Sequence, residues 1–358
     1  MEDCTRGVRK GPLVMGRRVL RIGRPFPLMG HIAFGVIERG TNVVQVRPST
    51  LCFHDCVFCS VDAGPSSRHR RAEYLVDDVD WLVEWVDEVA RVKGGNVEAL
   101  IDGVGEPLTN PRIVELVRKL KSINGIERVA IETHGGSLSL PLLKALDRAG
   151  LDRVNLSIDA FEPTLARRLV NAEWYDVSRV LSVVERALQE TSIDFVLTPV
   201  VVPGLNEDQM KRLIAWARHH GLGRRSGWPS GVLVQKYEVH RFGRRPRGVR
   251  PWTWDRFYSF LRGLEAETGY RLLLRPEEIG IRRAPRIERP YRRGDEMSLS
   301  VAGEGWLRGE LLASDTSCLR SFSLIGVRGD VPAGFLVRGL IIRDEDNIYL
   351  ARPVGPLA

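Results

Sequence analysis

The sequence predicts a large α/β domain followed by a small all-β barrel. From about residue 44 onward, β-rich runs alternate with segments of helical periodicity, and six strands can be counted up to Tyr237. The last part of the chain instead contains five short strand patterns separated by turns. The alternation implies parallel strands joined by right-handed crossovers, with functional groups at the carboxyl ends of the strands. On pattern alone, a full eight-fold barrel and an open doubly wound sheet both remain possible.

The individual elements are predicted from hydrophobic periodicity and turn residues. The six strands of the α/β part are predicted at residues 42–47, 97–102, 128–132, 153–158, 194–202 and 231–237. The helices are predicted at residues 76–92, 111–122, 140–149, 163–189 in two pieces, 207–220 and 254–268. A further strand is predicted at residues 270–275, and the barrel strands at residues 297–301, 306–312, 321–327, 334–342 and 347–351.

The N-terminal region precedes this pattern. A basic arm at residues 6–24 is interpreted as a solvated tail or as a nucleic-acid contact, and a β-rich run follows at residues 32–36. A Pro-rich run near Pro290 indicates a linker. The segments predicted from these features are an N-terminal arm and hairpin at 1–43, the α/β core domain at 44–283, a basic Pro-rich linker at 284–293 and a small β-barrel at 294–358.

Composition indicates a globular protein. The chain has 358 residues, of which 43% are hydrophobic and 27% charged, so it can bury a large core. It contains no apolar run long enough to span a bilayer, and its first residues lack the apolar core of a secretion signal. We therefore expect a cytoplasmic protein with no membrane partner, in a compartment where thiols stay reduced.

Three of the five cysteines are clustered in the sequence. Cys52, Cys56 and Cys59 have the spacing C-x3-C-x2-C. Three thiolates in one loop can bind three irons of a [4Fe-4S] cluster and leave the fourth iron open for a chelating small molecule, whereas a closed structural metal site needs four ligands. Zinc is the alternative, but zinc sites usually contain two C-x2-C pairs. A disulfide is disfavoured because Cys4 and Cys318 lie far away in the sequence.

The run Cys52-Phe-His-Asp-Cys56-Val-Phe-Cys59 resembles the signature of the radical S-adenosylmethionine superfamily. The resemblance implies two cofactors, a [4Fe-4S] cluster and S-adenosylmethionine, whose amino and carboxylate groups chelate the open iron. It also implies that Phe58 lies against the adenine, and a packed core aromatic is compatible with that role. For the fold, the resemblance favours the partial (β/α)6 barrel of these enzymes over the two alternatives left open above.

The turn after the second strand, Gly103-Val-Gly105-Glu106-Pro107, is similar to the Gly-Gly-Glu-Pro motif of the same family, with Val104 in place of the first of the two adjacent glycines. Glycines let the backbone approach a ligand closely, and backbone carbonyls together with Glu106 can accept hydrogen bonds from the methionyl ammonium group. The resemblance therefore assigns Gly103, Gly105, Glu106 and Pro107 to cofactor binding. An ordinary strand-to-helix turn is the alternative.

Polar residues alternate along the end of the fourth strand. Asn155, Ser157 and Asp159 share one face because side chains of a strand point alternately to its two sides. In the family, a polar residue at this place binds the ribose hydroxyls, and Ser157 is the best match, followed by Asp159. The alternative for Asp159 is to cap the helix that follows Pro163.

Two further turns resemble family motifs. Glu132-Thr-His134-Gly is similar to the Thr-Asn-Gly turn, which predicts that His134 faces the substrate, with a solvated histidine as the alternative. Gly204-Leu-Asn206-Glu-Asp208 is similar to the Gly-Asn-Asp turn, where the backbone meets the adenine. Asn206 is therefore a cofactor candidate, and it is equally suited to cap the next helix.

Positive charge is concentrated in one segment. Residues 218–293 contain 19 Lys and Arg against seven Asp and Glu, so this segment carries +12 and the rest of the chain −4. Aromatic residues such as Trp252 and Trp254 lie among the arginines of this segment. Interleaved guanidinium groups and aromatic rings suit phosphates and unstacked bases. An Arg-rich solvated surface is the alternative.

The five strand patterns at the C-terminus predict a barrel of the oligonucleotide-binding type. They resemble the TRAM domain, which follows the radical S-adenosylmethionine domain in tRNA-thiolating methylthiotransferases, in strand count, glycine turns and position. The chain has no room for the N-terminal domain of those enzymes and its cysteines. Sulfur insertion by their route is therefore not expected.

Together these features predict a radical S-adenosylmethionine enzyme. An electron from the reduced cluster would cleave S-adenosylmethionine to methionine and a 5′-deoxyadenosyl radical, with a donor such as ferredoxin or flavodoxin as a partner. The expected substrate is RNA, with tRNA favoured by the basic segment and the terminal barrel. The alternatives are the same chemistry on a peptide or small metabolite, and a non-enzymatic RNA-binding protein with a structural cluster.

Overall fold

The computed structural model describes residues 3–327 and 331–354. The chain forms two compact units. The first consists of Met1–Cys52, Ser67–Glu127 and Arg283–Ala358, and the second of Phe53–Ser66 and Arg128–Arg282. The segments predicted at 1–43 and 294–358 include residues 1–2, 328–330 and 355–358, which lie outside the described residues. The four predicted segments stay predictions.

Strands and helices are numbered here in chain order. The strands before the barrel are β1 (Val8–Val14), β2 (Arg17–Ile22), β3 (Gly35–Glu38), β4 (Val43–Arg47), β5 (Ala72–Val76), β6 (Val97–Ile101), β7 (Ile126–Thr133), β8 (Arg153–Leu156), β9 (Asp194–Leu197), β10 (Val200–Val201) and β11 (Gln235–Lys236). The helices are α1 (Val79–Lys93), α2 (Ile113–Lys121), α3 (Leu140–Ala149), α4 (Pro163–Val170), α5 (Val177–Glu190), α6 (Gln209–His220) and α7 (Trp254–Thr268). The barrel strands are β12 (Glu296–Glu304), β13 (Glu310–Asp315), β14 (Ser321–Ile325), β15 (Leu336–Arg343) and β16 (Leu350–Pro353).

The first unit contains three strands of the α/β pattern. β3 pairs antiparallel with β4, and β4 pairs parallel with β6, where Val46 lies opposite Ile101. Both of these residues are fully buried. Because β4 and β6 are parallel, their carboxyl ends lie at the same edge, so the residues that lead to Cys52 meet the turn that follows β6.

The first unit also contains a sheet that the sequence analysis does not predict. β1 pairs antiparallel with β2, and β2 pairs parallel with β5. Val19, Leu20 and Ile22 of β2 are buried, so burial of apolar side chains holds this strand in place. The interpretation of residues 6–24 as a solvated tail is therefore wrong, because Val19, Leu20 and Ile22 are buried in a paired strand. The alternative, a nucleic-acid contact, stays a prediction.

The barrel belongs to the first unit and is closed. Its strand order is β12-β13-β14-β16-β15, and β15 pairs back with β12. β14 and β16 are parallel. The core residues are Leu299, Val301, Leu311, Ala313, Phe322, Leu324, Val327, Val337, Ile341, Tyr349 and Ala351. The second barrel strand begins at Glu310, later than predicted, because residues 306–309 form a turn.

The second unit contains the other strands of the α/β pattern. It includes β7 without its first two residues, and β7, β8 and β9 are parallel to one another. β10 and β11 form a short parallel pair. Helix α3 begins after Ser139, whose side chain accepts a hydrogen bond from Leu142 N at 3.3 Å, and ends at Gly150, which has a left-handed φ of 94°.

The predicted fold class is confirmed: an α/β pattern of strands and helices is combined with a closed five-stranded barrel. The sixth predicted strand, at residues 231–237, is reduced to β11, which pairs only with β10 among the described residues. The strand predicted at residues 270–275 is wrong. The backbone amides of Leu272 and Leu273 donate hydrogen bonds of 2.7 and 2.9 Å to Glu265 Oε1 instead of to a neighbouring strand. In the described part of the chain, no helix is long and apolar enough to cross a membrane.

Candidate cofactor site

The three clustered cysteines lie in an irregular loop between β4 and β5. The side chains of Cys52 and Cys56 are each 6% exposed, Cys59 is half-buried, and all three are free thiols. In the second unit, the backbone amides of Asp55 and Val57 donate hydrogen bonds of 3.0 and 2.9 Å to the last turn of α4. Among the described residues, no three His, Cys, Asp or Glu side chains are placed to hold a single metal ion.

On balance the surroundings of Cys56 favour its neutral thiol, whereas two contacts of the loop favour the thiolate that iron binds. Burial raises the pKa of Cys56 well above its ordinary value, and the charges of Cys59 and Asp159 add to this, whereas Arg244 opposes it. Ala63 N donates a hydrogen bond of 3.2 Å to Cys59 Sγ. Amide donors to sulfur and a nearby cation stabilise the thiolate form that iron binds. Three thiols of one loop with these contacts suit a [4Fe-4S] cluster.

The turn after β6 packs against the backbone that precedes Cys52. Glu106 N donates a hydrogen bond of 2.7 Å to Leu51 O. A Cβ at Gly105 would lie 2.2 Å from Thr50 O, so only glycine fits at this position. The side chain of Glu106 is buried and accepts a hydrogen bond from the backbone of the next turn. The close approach that the sequence predicts at Gly105 is therefore made to the protein's own backbone.

Gly103 and Pro107 bound this turn. A Cβ at Gly103 would lie 3.0 Å from Ser49 O, and Pro107 is buried at the start of a short 3-10 helix. Neither residue has a polar side chain. A cofactor contact at these two positions would therefore use backbone carbonyl groups.

A buried arginine that the sequence analysis does not single out supports the turn. The Arg70 side chain has no exposed surface, and its Nη1 donates hydrogen bonds to Thr50 O at 2.7 Å and to Glu73 Oε2 at 3.0 Å. Its Nη2 donates to Val104 O. The guanidinium carbon also lies 4.9 Å from the ring centroid of Trp306, in the first loop of the barrel. Arg70 thus joins the segment that follows β4, the glycine turn and the barrel within the first unit.

Two histidines lie beside Cys56 in the second unit. His134 Nε2 lies 3.6 Å from Cys56 Sγ, and His134 Nδ1 donates a hydrogen bond of 2.9 Å to Ser157 O. The ring of His54 lies 5.1 Å from that of His134, and its pKa is lowered to about 3 by burial and by this neighbour. Phe58 is buried in the same loop. His134 therefore faces the cysteine loop, and its predicted contact with substrate stays a prediction.

Ser157 and Asp159 follow β8. Ser157 Oγ lies 3.1 Å from Thr198 Oγ1. Asp159 is 4% exposed: its Oδ1 accepts a hydrogen bond of 2.8 Å from Val200 N, and its Oδ2 has no hydrogen-bond partner in the described residues. Burial raises the pKa of Asp159 to about 6, although nearby His134 and the Val200 N–H lower it. A buried carboxylate oxygen of this kind suits a hydrogen-bond donor of a ligand.

The side chain of Asn206 is fully buried and hydrogen-bonds to the backbone of the neighbouring loops; it does not cap a helix. Its Nδ2 donates hydrogen bonds of 2.9 Å to the carbonyl oxygens of Asp159 and Val200, and its Oδ1 accepts from a backbone amide at 2.8 Å. Helix α4 is capped by Glu162, and α6 begins after Asp208. The cap alternatives for Asp159 and Asn206 are therefore wrong.

The structure joins the predicted residues in two groups. In the second unit, His134 links the cysteine loop to Ser157 and lies near Asp159. In the first unit, the glycine turn contacts the residues before Cys52. Sequence reasoning misses Arg70 and Arg244, since neither stands in a motif and both lie among other arginines.

Comparison with known proteins identifies the family. The sequence model of the Radical SAM superfamily matches residues 46–217. A Methanocaldococcus jannaschii protein, "Uncharacterized protein MJ0103", is 32% identical over 361 residues, which cover 94% of this chain and 81% of that protein. The GTP 3′,8-cyclase of Limosilactobacillus fermentum is 30% identical over 187 residues. The match covers 51% of this chain and 52% of that cyclase, so the chain spans about half the length of the cyclase.

Two solved structures are similar at low identity. TYW1 with a lysine-pyruvate adduct bound has 15% identity and a TM-score of 0.45, over 67% of this chain and 78% of that one. A radical SAM methyltransferase from Sphaerobacter thermophilus has 17% identity and a TM-score of 0.47, over 75% of this chain and 77% of that one. The assignment rests instead on the match to the family model over residues 46–217. The chain belongs to the radical SAM superfamily, whose enzymes use a [4Fe-4S] cluster and S-adenosylmethionine, and is itself a radical SAM enzyme.

Proposed function

We propose that the chain binds both cofactors at the residues described above and uses them to modify RNA, with tRNA favoured. Cys52, Cys56 and Cys59 hold the cluster in this proposal. When bound, the cluster supplies one electron, from a donor such as ferredoxin or flavodoxin, that cleaves S-adenosylmethionine to methionine and a 5′-deoxyadenosyl radical. In this proposal, that radical would remove a hydrogen atom from the substrate.

The methionyl end of S-adenosylmethionine is assigned to the turn after β6. Gly103 and Gly105 contribute backbone carbonyl groups, Glu106 contributes a buried carboxylate, and Pro107 begins the short helix that fixes them. These are the acceptors that an ammonium group requires. Because the turn is already held by the backbone hydrogen bond from Glu106 N to Leu51 O, little ordering is needed on binding.

The nucleoside end is assigned to the second unit. Ser157 and Asp159 would receive the ribose hydroxyls, since Asp159 Oδ2 is buried without a partner in the described residues. Asn206 acts through the backbone that it holds at Asp159 and Val200. Phe58 contributes apolar surface near the adenine.

One observation carries the RNA proposal: exposed arginines and exposed aromatic residues follow one another along residues 245–258 of the second unit. Arg245, Arg247 and Arg250 are exposed. Trp254 and Tyr258 of α7 are 51% and 42% exposed, and their rings stack with centroids 5.7 Å apart. Guanidinium groups attract phosphates, and aromatic rings stack on unpaired bases.

Other arginines of the +12 segment have internal partners. Arg225 donates hydrogen bonds to backbone oxygens at the end of α5. Arg271 pairs with Glu278, and Arg289 pairs with Asp344. The stretch from Arg245 to Tyr258 therefore supports the proposal better than the whole segment does.

The C-terminal barrel supports RNA binding by its architecture. A closed barrel of five strands is the form of oligonucleotide-binding folds. Arg338 and Arg343 of β15 are exposed on it, but they pair with Glu296 and Glu345, so the barrel supports the proposal by its architecture and not by these charges. The predicted likeness to the TRAM domain stays a prediction.

A small metabolite is the second candidate substrate. The GTP 3′,8-cyclases that match about half of this chain are named for a reaction of a nucleotide. The peptide alternative gains no support from these observations. The non-enzymatic alternative does not fit the family.

The cofactor proposal is tested by anaerobic reconstitution. The protein should bind about four irons per chain and, when reduced, form 5′-deoxyadenosine from S-adenosylmethionine. Cys56→Ala should abolish this product, whereas the matched variant Cys318→Ala, outside the loop, should retain it. Stoichiometric zinc in freshly purified protein, or continued turnover by Cys56→Ala, would refute the cluster assignment.

The substrate proposal is tested by mass spectrometry of nucleosides from a deletion strain and its parent. A modified nucleoside that is missing from tRNA of the deletion strain would support RNA as the substrate. Identical profiles for all RNA classes, together with an altered nucleotide pool, would favour the small-metabolite candidate.

A further inference from the structure

One arginine of the basic run at residues 240–247 points into the protein instead of toward solvent. The Arg244 side chain is 15% exposed, whereas its neighbours Arg241, Arg245 and Arg247 are exposed. Tyr237, which is buried, donates a hydrogen bond of 3.4 Å to Arg244 O and so helps to fix the backbone at this position. Arg244 is therefore not part of the surface assigned above to RNA.

The guanidinium of Arg244 binds the loop that carries Cys56 and Cys59. Nη1 donates a hydrogen bond of 3.1 Å to Cys56 O, and Nη2 donates one of 2.6 Å to Ala63 O. The backbone N–H of Arg244 donates to Cys59 O at 2.8 Å. Gly243 permits this approach, because a Cβ there would lie 3.1 Å from Cys59 O. These contacts fix the loop at both cysteines and beyond them.

Two acidic side chains of the same loop complete the arrangement. Arg244 Nη2 lies 2.7 Å from Asp55 Oδ1, and Arg244 Nε lies 2.9 Å from Asp62 Oδ1. Asp55 Oδ1 also accepts a hydrogen bond of 3.1 Å from Ser66 N, and Asp55 Oδ2 accepts one of 3.1 Å from Asn171 Nδ2. One planar guanidinium thus binds two carboxylates and two carbonyl groups at once, which a lysine ammonium on a single atom cannot reproduce.

We propose that Arg244 is a positioning residue for the iron-sulfur cluster: it holds residues 55–63 in the conformation that binds iron, and its charge makes the cluster easier to reduce. The inference rests on the proposed role of Cys52, Cys56 and Cys59 as ligands. Reduction adds a negative charge to a cluster, and a cation held beside Cys56 stabilises that charge, so it raises the reduction potential.

The test compares Arg244→Gln, Arg244→Lys and the matched control Arg245→Gln, each reconstituted anaerobically as the full chain. Iron is counted after desalting, and its loss to a chelator is followed over time. In Arg244→Gln we expect iron retention to weaken by about 10- to 100-fold, the range found for residues that support metal ligands. Arg245→Gln should retain iron like the unmodified protein, because its side chain lies outside the loop contacts.

The reduction potential, measured by EPR-monitored titration, separates the two roles of Arg244. The potential should fall in Arg244→Gln. It should stay near the original value in Arg244→Lys, which keeps the positive charge but cannot make all four contacts of the guanidinium, to Asp55, Asp62, Cys56 O and Ala63 O. Arg244→Lys should nevertheless lose iron faster than Arg245→Gln. If Arg244→Gln does not fold without iron, as judged by circular dichroism, the Arg244→Lys result decides.

The possible failures are distinguishable. If the unmodified protein binds no iron, the proposed ligand set is wrong. If it binds iron and both Arg244 variants retain iron and potential like Arg245→Gln, the inference about Arg244 is overturned while the cofactor proposal stands.

Discussion

Each unit supports one predicted cofactor motif with an arginine, and the two arginines are embedded differently. Arg70, in the first unit, binds Thr50 O and Val104 O next to the glycine turn. Arg244, in the second unit, binds Cys56 O and Ala63 O in the cysteine loop. Both use the guanidinium fork to satisfy backbone carbonyls that an irregular segment leaves without a strand or helix partner.

The difference lies in what surrounds each guanidinium. Arg70 lies between β5, through Glu73, and the barrel, through Trp306. Arg71 N, directly before β5, also donates a hydrogen bond of 2.8 Å to Trp306 O in the first loop of the barrel. This contact joins β5 to the barrel. Arg244 contacts an irregular loop, which can open locally without unfolding the unit. Loss of Arg70 should therefore lower global stability, and loss of Arg244 should first affect the loop.

The largest effect on stability is expected for Arg70→Met. This substitution removes one of the two arginines that pair with the fully buried Glu73 in the described residues. The other is Arg17, whose Nε lies 2.9 Å from Glu73 Oε1. Removing Arg70 also takes away the guanidinium donor of the buried oxygens Thr50 O and Val104 O. Each buried acceptor left unsatisfied costs about 1–3 kcal/mol, so we expect a total loss of about 3–5 kcal/mol. Urea unfolding monitored by circular dichroism measures the change in the free energy of unfolding.

The matched control for this change is Arg91→Gln. Arg91 is 63% exposed and pairs with Asp87 and Glu88 on the surface of α1. Exposed pairs contribute about 0–1 kcal/mol, so this variant should unfold near the midpoint of the unmodified protein. The loss in the free energy of unfolding caused by Arg244→Gln should lie between the losses caused by Arg70→Met and Arg91→Gln. Equal losses for Arg70→Met and Arg91→Gln would contradict the proposed contrast.

The second unit should show a pH dependence that arises at Asp159. Its pKa is raised from 3.8 to about 6 in the folded protein, so the folded chain binds a proton that the unfolded chain releases. The resulting stability is fully present below about pH 4 and is lost as the pH rises through about 6, by up to about 3 kcal/mol.

Asp159→Asn removes this titration and provides the control. The stability of the unmodified protein, relative to that of the variant, should fall between pH 4 and pH 7. Urea unfolding at both pH values measures the difference without requiring that the asparagine fit equally well. Parallel pH profiles would show that Asp159 is not held in a water-poor environment.

Local signals account for the parts of the fold that the sequence predicts. The bounds of α3 and α7 agree with prediction because Ser139 and Thr253 cap them and Gly150 and Gly269 end them. β2 is missed because its arginines suggest a solvated arm, and only its partners, β1 and β5, make it a strand.

Long-range contacts account for what the sequence does not predict. Cys4 and Cys318 are 314 positions apart in the sequence, yet burial and the Cys4 thiol raise the pKa of Cys318 to about 12. Arg244 and Arg245 are adjacent, yet only Arg244 is directed into the cysteine loop. The candidate cofactor residues stay predictions, because their assignment depends on a ligand and not on the fold alone.

The smallest effect concerns RNA and separates the two arginine roles. Replacing the exposed Arg245, Arg247 and Arg250 by Gln should remove phosphate contacts and weaken tRNA binding mainly at low salt. Each phosphate contact to a single strand contributes about 0.7 to the slope of log affinity against log salt concentration. Loss of three contacts should therefore make this slope shallower by about 2. Arg244→Gln should leave this slope unchanged, because its guanidinium is occupied by Asp55 and Asp62. Fluorescence anisotropy with labelled tRNA over a salt series measures both slopes.

Equal slopes for all variants and the unmodified protein would remove the exposed arginines from the proposed RNA surface. A change in the slope of Arg244→Gln alone would show that the contact of Arg244 with the cysteine loop is broken in solution and that this arginine reaches the RNA.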